Sequence, residues 1–291
     1  EPGEEALAWD IPFHRQLRQE VQIIGEWDGT VYVDGQLISV DKNFEIHFRP
    51  PAEIFAATTK EKNYRADSIY PMVTNEDLRN AGTETPDWVQ ERYLQLPENL
   101  PGRVHELALE LTATEPTAYD RAKAIEHYLR AFPYTLDVRT PPLGYDIADY
   151  FLFELKKGYC DYYATAMVVL ARAAGLPARL VIGYAGGNYD SINARYIVTE
   201  ADAHAWPEIY FPNIGWIEFE PTGGYPEIDR SVVELDDTVW PEHDPLVEPT
   251  ERTGPRIVVG MWLGYSIGGV LGLALLITAV DSLFLLVWGS P

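Results

Sequence analysis

The sequence contains a single cysteine, Cys160, among 291 residues. One thiol cannot form a disulfide within the chain, and it cannot supply the paired cysteines of a structural zinc site. A mixed Cys, His and Glu zinc site usually has a second Cys or His, and none lies near Cys160 in sequence. Because a lone cysteine is more often a small buried apolar residue than a nucleophile, its neighbourhood has to identify its role.

Basic residues are also scarce, with 22 Lys and Arg against 45 Asp and Glu and a formal net charge of −23. Proteins that bind nucleic acid need a basic surface to replace the counterions of the phosphates, so the composition disfavours a nucleic-acid partner. The same charge disfavours a soluble face lying on anionic lipid. No EF-hand or other calcium-loop pattern occurs, and we expect neither a metal nor an organic cofactor.

The first part of the chain is rich in strand patterns. Hydrophobic residues make up 46% of the sequence, enough for a sizeable folded core. Short β-branched or alternating segments predict a β-rich N-terminal subdomain over residues 1–73; they are residues 21–24, 30–33, 36–40 and 44–48. Asp34-Gly35 between the second and third segments predicts a two-residue hairpin turn.

The periodicity becomes helical after residue 74, and we assign residues 74–225 to a second domain. Val104, Leu107, Ala108 and Leu111 follow the i, i+3, i+4, i+7 spacing of one helical stripe. Thr117 with Asp120 is typical of a helix start.

The C-terminal part differs in composition. Residues 226–255 contain nine acidic residues, two basic residues and five prolines, which indicates an extended linker. Within residues 256–291, Ile257 to Val280 is a run of 24 uncharged residues, enough to cross a hydrocarbon core of about 30 Å as a transmembrane helix. Because the chain begins at Glu1 without a signal peptide, we expect a piece of a longer protein.

The residues around Cys160 favour a reactive thiol. Gly158-Tyr159-Cys160 opens a helix-forming segment that ends at Gly175-Leu176-Pro177. Cys160 therefore falls in the first turn of a helix, where unpaired N–H groups and the positive end of the helix dipole favour the thiolate. Thiolate is the nucleophilic form of cysteine.

Two alternating strands supply an imidazole and a carboxylate. In residues 202–211, His204, Trp206 and Glu208 share one face, and in residues 216–220 the acidic residues Glu218 and Glu220 share another. If the strands pair, a histidine and a glutamate become neighbours, and we expect the cysteine helix to pack on that face. Pro207 predicts an edge or a bulge.

Thiol, imidazole and an acceptor that orients the imidazole are the three parts of nucleophilic catalysis. At this point Glu208, Glu218 and Glu220 all remain candidates for the acceptor. Arg179 is interpreted as structural. Further candidates are Tyr159 and the backbone N–H of Cys160 for oxyanion stabilisation, and Trp206 and Trp216 as walls of an acyl-binding groove.

Four blocks of sequence resemble the transglutaminase-like superfamily, in its order and spacing, over about residues 85–225. They read Gly-Tyr-Cys160-Asp-Tyr-Tyr-Ala, Leu-Ala-Arg-Ala-Ala-Gly-Leu-Pro-Ala-Arg-Leu-Val-Ile-Gly-Tyr184, Asp-Ala-His204-Ala-Trp-Pro-Glu and Gly-Trp-Ile-Glu-Phe-Glu220-Pro-Thr. The resemblance implies an α+β, papain-like core with a nucleophile helix packed on an antiparallel sheet. It implies that Cys160 is the nucleophile and His204 the base. Glu220 then occupies the place of the aspartate in the family's Asp-Pro-Thr motif, a departure of one methylene.

With its linker and apolar tail, the chain resembles the bacterial membrane-anchored TgpA type of protein-glutamine gamma-glutamyltransferase. That resemblance implies acyl transfer from a protein or peptide glutamine to an amine through a thioester. It also implies a catalytic domain outside the cytoplasm and contact with the lipid bilayer through the C-terminal helix. Two alternatives stay open: a cysteine peptidase or amidase that hydrolyses envelope peptides with the same triad, and a non-catalytic extracytoplasmic scaffold.

Overall fold

The structure is a computed structural model that describes residues 11–50 and 53–231. The predicted transmembrane segment 256–291 and most of the predicted linker 226–255 lie outside these residues. Among the residues that are described, none belongs to a helix with the length and apolar character needed to span a bilayer.

Five antiparallel strands form the N-terminal part of the described chain. One sheet has the strand order β1-β5-β2, and the other two strands form a separate pair, β3-β4. Their bounds are β1 His14–Gln22, β2 Gln36–Val40, β3 Phe44–Arg49, β4 Glu53–Thr59 and β5 Asn63–Pro71.

The predicted hairpin at Asp34-Gly35 is wrong. Strand β2 pairs with β5 and not with the segment before the turn, and residues 31–33 form no strand. That segment is instead tied to β4, where the Val31 N–H donates to the Ala57 carbonyl at 2.9 Å. The dipeptide is a local turn signal, whereas burial of apolar residues such as Ala66 on β5 decided which strands pair.

Six α-helices and a π-helical turn follow these five strands in the described part of the chain. Both predicted helices before Cys160 are present: Val104 and Ala108 are buried in α3, and the Thr117 hydroxyl caps α4 by accepting from the Asp120 N–H at 3.1 Å. The bounds are α1 Asn75–Arg79, α2 Asp87–Tyr93, α3 Gly102–Thr112, α4 Ala118–Arg130, α5 Ile147–Asp149, a π-helical turn Tyr150–Leu155, and α6 Cys160–Ala173.

A second antiparallel sheet lies against α6. Its strand order is β10-β9-β6, and a separate hairpin pairs β7 with β8. The bounds are β6 Ala178–Tyr184, β7 Asn188–Asp190, β8 Arg195–Ile197, β9 Ala203–Phe211 and β10 Gly215–Glu218. The result is a mixed α/β fold in which the cysteine helix packs on an antiparallel sheet.

The helix packs on the opposite face of the sheet from the one predicted. Ile209 and Ile217 are fully buried in the main core together with Met167 of α6. Glu208 belongs to the other face and binds Arg179 there. The reason is hydrophobic burial: the apolar side of β9 covers the apolar side of α6, and the side that carries glutamates is left to find charged partners.

Pro207 lies in the central strand, where a missing N–H would normally weaken the sheet. Its carbonyl accepts from the Phe219 N–H at 2.9 Å. Since the N–H and C=O of a strand residue point to the same side, the missing donor faces the side on which β10 has just ended at Glu218. The predicted edge therefore exists on one side of β9, while the register with β6 is continuous.

Candidate active site

Cys160 is the first residue of α6, directly after Tyr159 at the N-cap. Its thiol is half-buried and lies 3.7 Å from the Asp161 carboxylate. The chain before it is held in place, because Gly158 accepts from the Thr135 N–H at 2.7 Å and donates to Pro133 at 3.2 Å. The thiol thus lies at the positive end of a 14-residue helix, where unpaired N–H groups favour an anion.

His204 and Glu220 form a buried pair. The imidazole Nε2 lies 2.6 Å from the Glu220 Oε2, and the two residues are 6% and 8% exposed. The second carboxylate oxygen, Oε1, accepts from the Thr222 N–H at 2.9 Å. Because both oxygens of Glu220 have partners, the carboxylate and the ring it binds are fixed in orientation.

The two rival carboxylates have other partners. Glu208 accepts from the Arg179 guanidinium at 2.7 Å, and Glu218 accepts from the Tyr70 hydroxyl at 2.6 Å. Of the three acidic candidates, Glu220 is the one in contact with His204.

The ring of His204 also lies beside the thiol. Burial lowers its pKa, but the neighbouring Cys160 thiol and the Glu220 carboxylate outweigh burial and raise the pKa from 6.5 to about 9. Since Nε2 is bound to Glu220, Nδ1 is the nitrogen left for the thiol. Nδ1 is buried and makes no hydrogen bond within the described part of the chain. The thiol and the imidazole are therefore neighbours that are not hydrogen-bonded in this structure. Such bonds often close only when substrate binds.

Two aromatic rings lie nearly parallel to the imidazole. The Tyr225 ring is 4.3 Å from it at an interplanar angle of 13°, and the Trp206 ring is 6.1 Å away at 20°. Gly183 makes room for Trp206, because a Cβ there would lie 2.9 Å from the indole. The structure therefore brings Trp206 to the histidine, as its position on β9 predicts.

The structure does not bring Trp216 to the thiol. Trp216 pairs with Tyr210, which lies six positions after His204 on β9 and so about 20 Å along the strand. Its ring contacts Tyr93 at 4.6 Å and the Arg179 guanidinium at 4.3 Å. Trp216 is part of a packed charged cluster at the other end of the sheet. This position contradicts the prediction that Trp216 forms a wall of the acyl-binding groove.

Tyr159 packs its ring edge-on against Tyr162 at 5.0 Å and against the main core. Its proposed contribution to oxyanion stabilisation stays a prediction, as does that of the Cys160 backbone N–H. Among residues 11–50 and 53–231, no group of three or more His, Cys, Asp or Glu side chains is arranged to hold a metal ion.

Several residues at the site are missed by the sequence patterns. Tyr225 marks only the end of the predicted domain, yet its ring stacks on His204. Burial raises the pKa of Tyr134, with contributions from Cys160 and Asp161. Tyr134 carries no motif that would reveal its place at this site, where its ring lies 6.1 Å from that of Tyr225. Glu126 has a usable signal, because it is an acidic residue four positions after Ala122 and three before Leu129, on the buried face of α4.

Comparison with known proteins identifies the domain. Residues 105–221 match the Transglutaminase-like superfamily. The chain is 49% identical over 142 residues to the uncharacterized protein YebA of Bacillus subtilis, covering 46% of this chain and 19% of YebA. It is 37% identical over 193 residues to a protein-glutamine gamma-glutamyltransferase of Pseudomonas aeruginosa, covering 66% of this chain and 26% of that protein. The chain thus spans no more than about a quarter of these curated relatives.

A solved structure shares the fold. The periplasmic domain of TgpA from Pseudomonas aeruginosa superposes with a TM-score of 0.55 at 28% sequence identity, covering 71% of this chain and 69% of that chain. The same domain bound to ethylmercury superposes equally well, with 72% of that chain covered. Residues 105–221 therefore form a transglutaminase-like domain with a mixed α/β fold, and members of this superfamily are usually enzymes.

Proposed function

We propose that this transglutaminase-like domain catalyses thiol-dependent acyl transfer from carboxamides, with Cys160 as nucleophile, His204 as acid and base, and Glu220 as the group that orients His204. The observation that carries the proposal is the buried 2.6 Å contact between His204 Nε2 and Glu220 Oε2, next to a half-buried thiol at a helix start. These are the three parts that nucleophilic catalysis requires.

In the first half-reaction, the Cys160 thiolate attacks the carbonyl carbon of a glutamine side chain and forms a C–S bond. The oxyanion of the tetrahedral intermediate then collapses, the C–N bond breaks, and ammonia leaves with the proton from His204 Nδ1. Glu220 remains ionised throughout and stabilises the imidazolium. The backbone N–H of Cys160 is the candidate donor to the oxyanion.

In the second half-reaction, an amine such as a lysine side chain attacks the thioester carbonyl. Nδ1 of His204 takes the proton of the amine, a new C–N bond forms, and the Cys160 sulfur leaves as thiolate. The products are a substituted amide and the starting ion pair of thiolate and imidazolium, so neither metal nor organic cofactor enters the cycle.

The same proposal places the domain outside the cytoplasm. The similarity to a periplasmic domain supports this location, and the predicted transmembrane segment Ile257–Val280 would anchor it in the cell membrane. The expected partners are a protein or peptide that donates glutamine, an amine acceptor, and the lipid bilayer.

Hydrolysis is the second candidate, because the half-buried thiol of Cys160 leaves open an approach for water. Purified protein would be incubated with a glutamine-containing peptide and a fluorescent alkyl amine, with Cys160→Ala as the control. Incorporation of the amine together with ammonia release supports transfer, whereas ammonia or cleavage without incorporation supports hydrolysis.

A non-catalytic scaffold predicts an ordinary thiol. Iodoacetamide would be titrated against Cys160 between about pH 5 and 7 and compared with a model thiol, because a thiolate held by an imidazolium reacts already in this range. A rate no faster than that of the model thiol would favour the scaffold.

A further inference from the structure

Helix α4 binds both backbone polar groups of Glu220, its N–H and its carbonyl. The Glu126 carboxylate accepts from the Glu220 N–H at 2.9 Å, and the Arg130 guanidinium donates to the Glu220 carbonyl at 2.6 Å. Because Glu126 and Arg130 are four residues apart, they lie on the same face of the helix, one turn apart. A buried acid and a half-buried base, both from one face of α4, thus hold the backbone of a single residue.

Arg130 also holds the chain that follows Glu220. It donates to the Tyr225 carbonyl at 2.7 Å, and the Thr222 carbonyl lies 3.5 Å from it. The loop lies close against the end of α4, since a Cβ on Gly223 would lie 2.4 Å from the Phe132 carbonyl. One guanidinium therefore binds the backbone carbonyls of two residues that contact His204. The Glu220 carboxylate bonds the imidazole, and the Tyr225 ring stacks on it.

We propose that Glu126 and Arg130 are positioning residues that set where Glu220 and Tyr225 stand against His204, and that they thereby keep the imidazole aligned for thiol chemistry. The physical reason is the early end of β10 at Glu218. Because the first half of β9 has no strand paired with it on the β10 side, the backbone of residues 220–225 needs other partners to hold it, and α4 supplies them. This inference rests on the proposed function of His204 and Glu220.

A glutamate in this place makes the positioning more important. Its side chain has one more rotatable bond than an aspartate, so the carboxylate has more orientations to lose. The backbone must also stand further from the ring for the 2.6 Å contact to form. The bonds to the Glu220 N–H and carbonyl fix where the backbone stands, and the Thr222 N–H fixes the carboxylate through Oε1.

Arg121 provides a matched control on the same helix. It also donates to a backbone carbonyl, that of Ala174 at 3.1 Å, but at the far end of α6 and away from His204. A purely structural arginine would affect stability alone. Arg130→Met and Arg121→Met should therefore both lower the thermal unfolding temperature, and only Arg130→Met should impair catalysis.

The kinetic test is amine incorporation by the purified chain. We expect kcat of Arg130→Met to fall about 10²-fold, since a misplacement of about 1 Å in a catalytic constellation can cost that much, with KM within about twofold of the wild type because no substrate contact is lost. Arg130→Lys keeps the charge but not the planar fork that reaches two carbonyls, so it should fold and recover only part of kcat. It replaces the methionine variant if that variant does not fold.

Glu126 is tested by a pair of variants. Glu126→Gln keeps an oxygen that can accept from the Glu220 N–H, and its kcat should remain within about threefold of the wild type. Glu126→Leu removes the acceptor and should resemble Arg130→Met. Equal loss in both variants would overturn the hydrogen-bond role assigned to Glu126.

A readout that does not depend on turnover separates this inference from the proposed function. In a Cys160→Ala background, NMR titration of the His204 ring should show a lower pKa when Arg130→Met is added, because Glu220 no longer meets the imidazolium, and no change when Arg121→Met is added. If wild-type protein incorporates no amine but the titration shifts, the proposed function fails and the positioning role stands. Wild-type kcat and an unshifted titration in Arg130→Met would overturn the positioning role.

Discussion

The two ends of strand β9 each pair a basic side chain with a glutamate, and they have different chemistry. At one end His204 binds Glu220 beside a thiol. At the other end Arg179 binds Glu208 at 2.7 Å and Glu53 at 2.8 Å. An ion pair on a sheet is therefore not a functional signal in itself. What distinguishes the first end is a base that can give up its proton, with a pKa of about 9, and a ring nitrogen left for the thiol, whereas a guanidinium always stays charged.

The largest expected effect is on catalysis at the His204 end. His204→Ala should lower kcat for amine incorporation by about 10⁶-fold, because loss of a nucleophile's base is nearly as costly as loss of the whole triad. Arg179→Met should leave kcat within a few-fold but destabilise the fold by about 3 kcal/mol, since the largely buried carboxylates of Glu208 and Glu53 lose a half-buried cationic partner. Steady-state kinetics and urea unfolding measure the two. A large loss of kcat in Arg179→Met would show that the Arg179 end of β9 also contributes to catalysis and is not purely structural.

The next effect concerns the two glutamates. Glu220→Gln keeps the shape of the side chain but cannot stabilise the imidazolium, so kcat should fall by as much as about 10⁴-fold. Glu208→Gln at the other end should keep normal kcat. Similar losses in the two variants, with both proteins folded as judged by circular dichroism, would show that the acceptor has been misassigned.

The two ends should also differ in how stability depends on pH. The pKa of His204 is raised from 6.5 to about 9, so its stabilising contribution is fully present below about pH 6.5 and disappears as pH rises through about 9, at most about 3 kcal/mol. Burial raises the pKa of Glu208 above 4.5, so its ionisation begins to disfavour folding at far lower pH.

Urea unfolding of the wild type and His204→Gln at pH 6 and pH 9.5 separates these contributions. The wild type should lose stability between the two pH values, and His204→Gln should lose less. An equal loss in both proteins would mean that another group titrates in this window.

The smallest expected effect is on the loop that follows Glu220, which has no counterpart at the Arg179 end. Gly223→Ala should destabilise the protein by about 1–3 kcal/mol through the contact with the Phe132 carbonyl, and should also lower kcat because Glu220 is displaced. Gly102→Ala, where an added Cβ meets nothing within 4 Å, is the control and should be close to neutral in thermal unfolding. An intact kcat in Gly223→Ala would show that the loop can shift without moving Glu220.

The helix and strand that carry Cys160 and His204 were predictable because their signals are local. The helix-forming run after Gly158 and the stop at Gly175 place the thiol in a first turn, and α6 begins at Cys160. The alternation in residues 202–211 likewise predicts β9. The hairpin at Asp34-Gly35 failed because its strand partner lies far away in sequence, on β5.

The choice of acceptor was only partly predictable. Glu208, Glu218 and Glu220 all lie on the candidate face of their strands, so the alternation of side chains cannot show which of them contacts His204. The structure separates them through partners distant in sequence, Arg179 for Glu208 and Tyr70 for Glu218. Trp216 shows the same limit, since its distance from His204 follows from the register between β10 and β9 and not from residue type.

By itself, the sequence determined the nucleophile helix, the strand of His204 and the resemblance to the transglutaminase-like superfamily, because these depend on short-range periodicity and on blocks of adjacent residues. Only the tertiary structure decided which glutamate meets His204, which face of the sheet α6 covers, and that Arg130 and Glu126 hold the Glu220 peptide. Those outcomes depend on where β10 ends and on which buried charges find partners, and both are set by packing between segments far apart in the chain.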